Sequence, residues 1–203
     1  RVVPSATEYG GDKAIFGYGD AASGYVSVTN LVSNLGVVSA DVTGVGTARA
    51  SPAACRFGSD KAIFGYGVSS GGKVSLTNLV SNTGVVASDV SGVGTARNNL
   101  AAAEFGVGKG IFGYGDTGSV SSLTNLVSDL GVVASDVSGV GTARRQLGAA
   151  SYGGDKGVFA YGDSGSRVSL KNLVNNSGVV AADVTGVGTA RDTLAAAGYS
   201  FSA

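Results

Sequence analysis

The 203-residue chain balances 14 Lys and Arg against 14 Asp and Glu, and it has 35 Gly, one Cys and no His, Met or Trp. Zero net charge argues against a protein that grips nucleic acid or a membrane surface by massed positive charge. Without His the commonest general base and metal ligand is missing, and a lone Cys55 excludes an internal disulfide or a paired-cysteine site.

The elements repeat along the chain. Thr-Ala-Arg recurs at Arg49, Arg97, Arg144 and Arg191, at intervals of 48, 47 and 47 residues, and Arg1 fits the same frame. The units are 1–48, 49–96, 97–143 and 144–190, followed by the start of a fifth, 191–203. Each unit is expected to hold four short strands, as in Leu100–Phe105, Lys61–Gly67, Val74–Val80 and Val85–Val90. These segments are rich in Val, Ile, Phe, Tyr and Thr and are parted by Gly, Asn, Asp and Ser. No stretch supports a helix beyond three turns, and no membrane-spanning helix can be drawn.

Four antiparallel strands per unit predict an all-β fold, a single β-propeller domain of four blades. Residues 2–9 and 192–199 compete for one place, so the last segment is expected to close the ring. The alternative is a partial ring completed by further copies, with the spare strand docking on a neighbour. The chain starts at Arg1 and contains no Met, which predicts a processed or excised part of a longer product.

Thirteen of the fifteen aromatic residues occupy fixed repeat positions. One column is Phe16, Phe64, Phe112 and Phe159. A second is Tyr18, Tyr66, Tyr114 and Tyr161, and a third is Tyr9, Phe57, Phe105, Tyr152 and Tyr199. Spacing at i and i+2 puts Phe16 and Tyr18 on one strand face, packing between blades. The Arg column, with Asp41, Asp89, Asp136 and Asp183 eight residues before each Arg, reads as turn caps and ion pairs. A repeated anion or glycan site is the competing reading. Asn30, Asn78, Asn125 and Asn172 are expected to satisfy backbone groups. Cys55 reads as a buried thiol, and the Asp-Val-Ser-Gly turn does not match a calcium loop. No metal and no cofactor is expected.

Variation between units concentrates in the loops 20–25, 68–73, 116–121 and 163–167, which share one rim. Their candidate binding residues are Asp20, Tyr25, Lys73, Asp116, Asp163 and Arg167.

The run Asn-Leu-Val-x-x-x-Gly-Val-Val-x-x-Asp-Val-x-Gly-Val-Gly-Thr-Ala-Arg, followed by Leu-Ala-Ala-Ala-x-Tyr and Lys-x-Ile-Phe-x-Tyr-Gly, resembles kelch-type propeller repeats. Here Gly-Tyr-Gly stands where kelch has Gly-Gly, and the kelch Trp is missing. The same wording is similar to tandem repeats of structural proteins of environmental tailed bacteriophages. That resemblance implies a virion, tail-associated or other extracellular role, with partners among structural proteins or further copies, and it supplies no catalytic residue. The chain is therefore expected to be a non-enzymatic structural or interaction propeller. The alternative is a carbohydrate-binding adhesin that uses the rim loops.

Overall fold

The computed structural model describes residues 1–198, which are all-β and contain no helix. The first unit holds β1 (Ser5–Tyr9), β2 (Lys13–Gly17), β3 (Asp20–Ala21), β4 (Gly24–Tyr25) and β5 (Thr29–Val32). In the second lie β6 (Ala53–Phe57), β7 (Lys61–Gly65), β8 (Val68–Ser69), β9 (Gly72–Lys73) and β10 (Thr77–Val80). The third has β11 (Ala101–Phe105), β12 (Lys109–Asp116) and β13 (Val120–Val127). The fourth has β14 (Gly148–Tyr152), β15 (Lys156–Ala160) and β16 (Lys171–Val174).

Each unit is a three-stranded antiparallel sheet with the second long strand in the middle. The expected fourth strand is not a strand: in the second unit it is reduced to two isolated bridges, Val86 to Val80 and Val90 to Thr77. Between those bridges one side spans an extra residue, which bulges the ladder. The Asn78 carboxamide fills the gap, donating to the Ala87 carbonyl at 3.0 Å and to Asp89 Oδ1 at 2.9 Å. The Asn column thus satisfies backbone, but within the sheet edge rather than in a turn.

The sheets stack in chain order, β1 against β6, β6 against β11 and β11 against β14. The core is accordingly split into three clusters, one at each joint. Burying each of Phe64, Phe112 and Phe159 contributes about 1.5–3 kcal/mol. A backbone ladder also crosses every joint. The amides of Ser51, Asn99, Gln146 and Thr193 donate to the carbonyls of Val3, Ser51, Asn99 and Gln146, so one position per unit is tied to its predecessor. Such an array is quasi-one-dimensional, with each unit stabilised by its neighbours.

No sheet closes onto another. The expected closing segment instead continues the stack: Arg191 O accepts from Gly162 N at 2.9 Å, Thr193 N donates to Gln146 O at 2.9 Å, and Leu194 and Ala196 lie against Gly148 of β14. Its described residues, 191–198, form no strand with the first sheet. Tyr199 and the rest of 199–203 lie outside the described residues.

Candidate functional site

Two constellations hold the chain's recurring polar chemistry. The first lies inside the joints. Tyr18, Tyr66, Tyr114 and Tyr161 follow the end of the second long strand or interrupt it, and all have left-handed backbone, φ 61–64°. A large side chain there is strained by about 1–3 kcal/mol, which the surrounding contacts must outweigh. The consequence corrects the i, i+2 reading. Phe64 faces the preceding unit, meeting the Tyr18 ring edge-on at 5.2 Å, whereas Tyr66 faces the following unit and meets Phe112 at 5.2 Å.

Each Tyr ring is covered by the Arg that opens the next unit. Arg49, Arg97, Arg144 and Arg191 lie 3.9–4.2 Å above Tyr18, Tyr66, Tyr114 and Tyr161. Arg97 is fully buried. It donates to Tyr114 O at 2.9 Å, Thr95 O at 3.2 Å and Asn125 Oδ1 at 2.6 Å. Arg49 repeats the stack and the Asn78 bond at 2.7 Å, but its Nε finds no partner. Burial lowers the Arg49 and Arg97 pKa values and raises those of Tyr18 and Tyr114; Tyr66 is pushed up to about 12. Asp136 stands 3.7 Å from Arg97. Burial alone would raise its carboxyl, but hydrogen bonds from Thr95 and Asn125 outweigh that and hold it below its ordinary range. Arg49, Arg97 and Arg144 are fully enclosed, and each has a partner inside the joint.

The second constellation is on the rim. Asp20 (β3) pairs with Tyr25 (β4) across a short hairpin, and Tyr25 is exposed. Further along, Asp116 is a hub. Its Oδ1 accepts from Lys73 Nζ of the second unit at 2.6 Å and from Gly118 N at 2.8 Å; its Oδ2 accepts from Arg145 of the fourth unit at 2.5 Å. The Lys73 hydrogen bond foremost, then those from Gly118 N and Arg145, hold its pKa at about 2 against the opposing pull of burial. Arg145 also approaches Asp163 at 3.7 Å, and Arg167 pairs with Asp192 at 3.0 Å. Four of the six expected rim residues therefore sit in ion pairs, and three of them, Lys73, Asp116 and Arg167, pair across units. Asp20 and Tyr25 stand apart from them. Arg145 was missed by the sequence reading; its signal was Arg144-Arg145, the chain's single pair of adjacent basic residues.

The first strands of all four units share a trough of about 540 Å³, walled by alanines and crossed by Glu8, Arg56 and Glu104. Arg56 already pairs with Glu8 at 3.0 Å and with Glu104 at 3.7 Å. Burial raises the Glu104 pKa. Cys55 is buried and its thiol is pushed up to about 12, chiefly by burial. Among the described residues no three Cys, Asp or Glu side chains gather as a metal site. Compared with protein-family models and with curated proteins, the chain matches none.

Proposed function

We propose that the chain is a non-enzymatic structural and interaction protein, an open array of propeller-type blades that works inside a virion (tail or decoration) or another extracellular assembly. One observation carries the interaction reading. The recurring aromatic, Arg, Asn and Asp columns are largely spent inside the joints, whereas every unit leaves valines exposed, one of them to the same extent in all four. Val37, Val85, Val132 and Val179 are 62–65% exposed, and Leu35 and Leu130 beside them are more so. Because the units stack in register, these positions line one edge as an apolar row. Exposed apolar rows of this kind serve as docking surfaces. The virion setting rests on the sequence resemblance.

The test is a pair of variants, Val85→Ser and Val132→Ser, combined. Native mass spectrometry and sedimentation of the wild type should show association through this edge, with itself or with structural proteins of its source, and the double variant should lose it at unchanged Tm. A wild type that stays a lone chain and takes no partner overturns the reading. So does turnover of any substrate.

A second reading, a glycan-binding adhesin, is favoured by Tyr25, an exposed ring cross-strand from Asp20 on a hairpin that the rim ion pairs leave alone. Glycan-array signal lost in Tyr25→Ala would support it.

A further inference from the structure

The two ends of the stack are not equivalent. Phe64, Phe112 and Phe159 are fully buried, each against the Tyr ring of the preceding unit. Phe16, the same position in the first unit, is 40% exposed. Arg1 is held like its buried equivalents, donating to Tyr18 O at 3.3 Å, to Val28 O and to Asn30 Oδ1, yet among the described residues no Tyr ring lies under it. Among the described residues, nothing fills the two halves of a joint that the first unit presents, the Phe edge and the Arg plane. In every other joint both are filled by a single Gly-Tyr-Gly turn.

The glycine matters as much as the tyrosine. A Cβ on Gly17, Gly65 or Gly113 would lie 2.6–2.7 Å from the ring tip of the following Phe, closer than real atoms approach. In the fourth unit this position is Ala160, so that methyl stands where a docking Phe ring would go. Arg191 already covers Tyr161, and residues 194–198 already lie along β14.

We propose that the Phe16–Arg1 face is a docking site for a blade with a Gly-Tyr-Gly turn, and that Ala160 makes the opposite end of this chain unfit to be that blade. The site is continuous with three established joints of the same geometry, which define its occupant: a glycine for the Phe to lie on, then a left-handed Tyr for both side chains to grip. Ala160 thus keeps a second copy of residues 1–198 from stacking head to tail through this face. This rests on the assembly reading, but the two fail separately, since the experiment needs no native partner.

Two measurements test it. First, a chain ending at residue 190 and carrying Ala160→Gly exposes a fitting end. Its weight-average mass in sedimentation should rise with concentration to that of a dimer and beyond. Adding Phe16→Ser should abolish this, and the full-length wild type should not associate through Phe16. Second, two copies joined so that residue 190 precedes Arg1 of the next should melt higher with Gly at 160 of the first copy than with Ala. Hydrogen exchange should slow at Phe16 of the second copy only in the Gly form. Equal melting and exchange in the two fusions, failure of the shortened variant to associate, or association that survives Phe16→Ser overturns the proposal. This fusion keeps the test decisive if the shortened chain does not fold.

Discussion

Arg97 opens the third unit but spends its guanidinium on two units at once: it lies 4.2 Å above the Tyr66 ring and bonds Thr95 O of the second, and it bonds the Tyr114 carbonyl and the Asn125 carboxamide of its own. Removing such a cation strands several buried acceptors. Arg97→Ala is expected to cost about 3–5 kcal/mol, the usual penalty for breaking a buried charged network. Arg49→Ala should cost less, because Arg49 Nε has no partner to lose. Urea unfolding of the two variants, compared with Arg1→Ala as the exposed control, reads the order directly. Equal losses for Arg97 and Arg1 would refute the buried-network account.

Glycine 113 and alanine 160 occupy one repeat position with opposite consequences. The Cβ of Gly113→Ala would meet the Phe159 ring tip at 2.6 Å, so the ring or the backbone must shift, at a cost of about 1–3 kcal/mol. No Phe sits on Ala160 among the described residues, so Ala160→Gly should lower Tm only slightly, through the added entropy of the unfolded chain. Calorimetry on both variants distinguishes a specific joint contact from a general preference for glycine.

A second backbone feature is also testable. Ser51, Asn99, Gln146 and Thr193 all have φ near +50°, two residues after their column Arg. Each amide or carbonyl there carries the ladder between units, so the conformation is held in place. Gln146→Gly should stabilise by up to about 1 kcal/mol as strain is relieved, whereas Asn99→Gly should be nearly neutral because Asn tolerates this region. A destabilised Gln146→Gly would show that the Gln side chain carries more than the backbone does.

Much of this was legible in the sequence. The Thr-Ala-Arg period gave the units, and the Val, Ile and Phe segments gave three of four strands to within a few residues. The fourth failed because Asn78 and its equivalents insert a side chain where ladder bonds were expected. Period-2 reasoning also placed Phe64 and Tyr66 together, and a left-handed Tyr, rare enough to be ignored by strand logic, turns them toward opposite neighbours. Ring closure could not be read from repeat number, because it depends on twist accumulated over many joints. Rim variability drew attention to Lys73, Asp116 and Arg167, but the ion pairs they form between particular units are not revealed by any single repeat.

Cys55 gives a chemical readout of the joint between the second and third units. Its thiol packs at Gly110 inside that cluster, and its pKa of about 12 leaves almost no thiolate at neutral pH. A thiol reagent should therefore label native protein only as fast as the joint opens, and at full rate in denaturant. In Gly113→Ala, which loosens the neighbouring joint, labelling should change little, because units interact mainly through nearest neighbours. Gly65→Ala, in the same joint as Cys55, should speed it markedly. Equal acceleration in both variants would mean that the stack opens as a single unit.

Asp116 sets the acid limit of the rim. Its carboxyl sits near 2 in the folded chain, against an ordinary value of 3.8. A carboxyl depressed by folding stabilises the fold above its unfolded pKa, and that contribution is lost as pH falls through the folded one. Stability should therefore fall between about pH 4 and pH 2 as the proton displaces the bonds from Lys73, Gly118 and Arg145. Asp116→Asn should be less stable at pH 7 and should lose part of this slope. Urea midpoints measured across that range decide the matter. An Asp116→Asn curve parallel to wild type would mean that the hub contributes no stability between the second, third and fourth units.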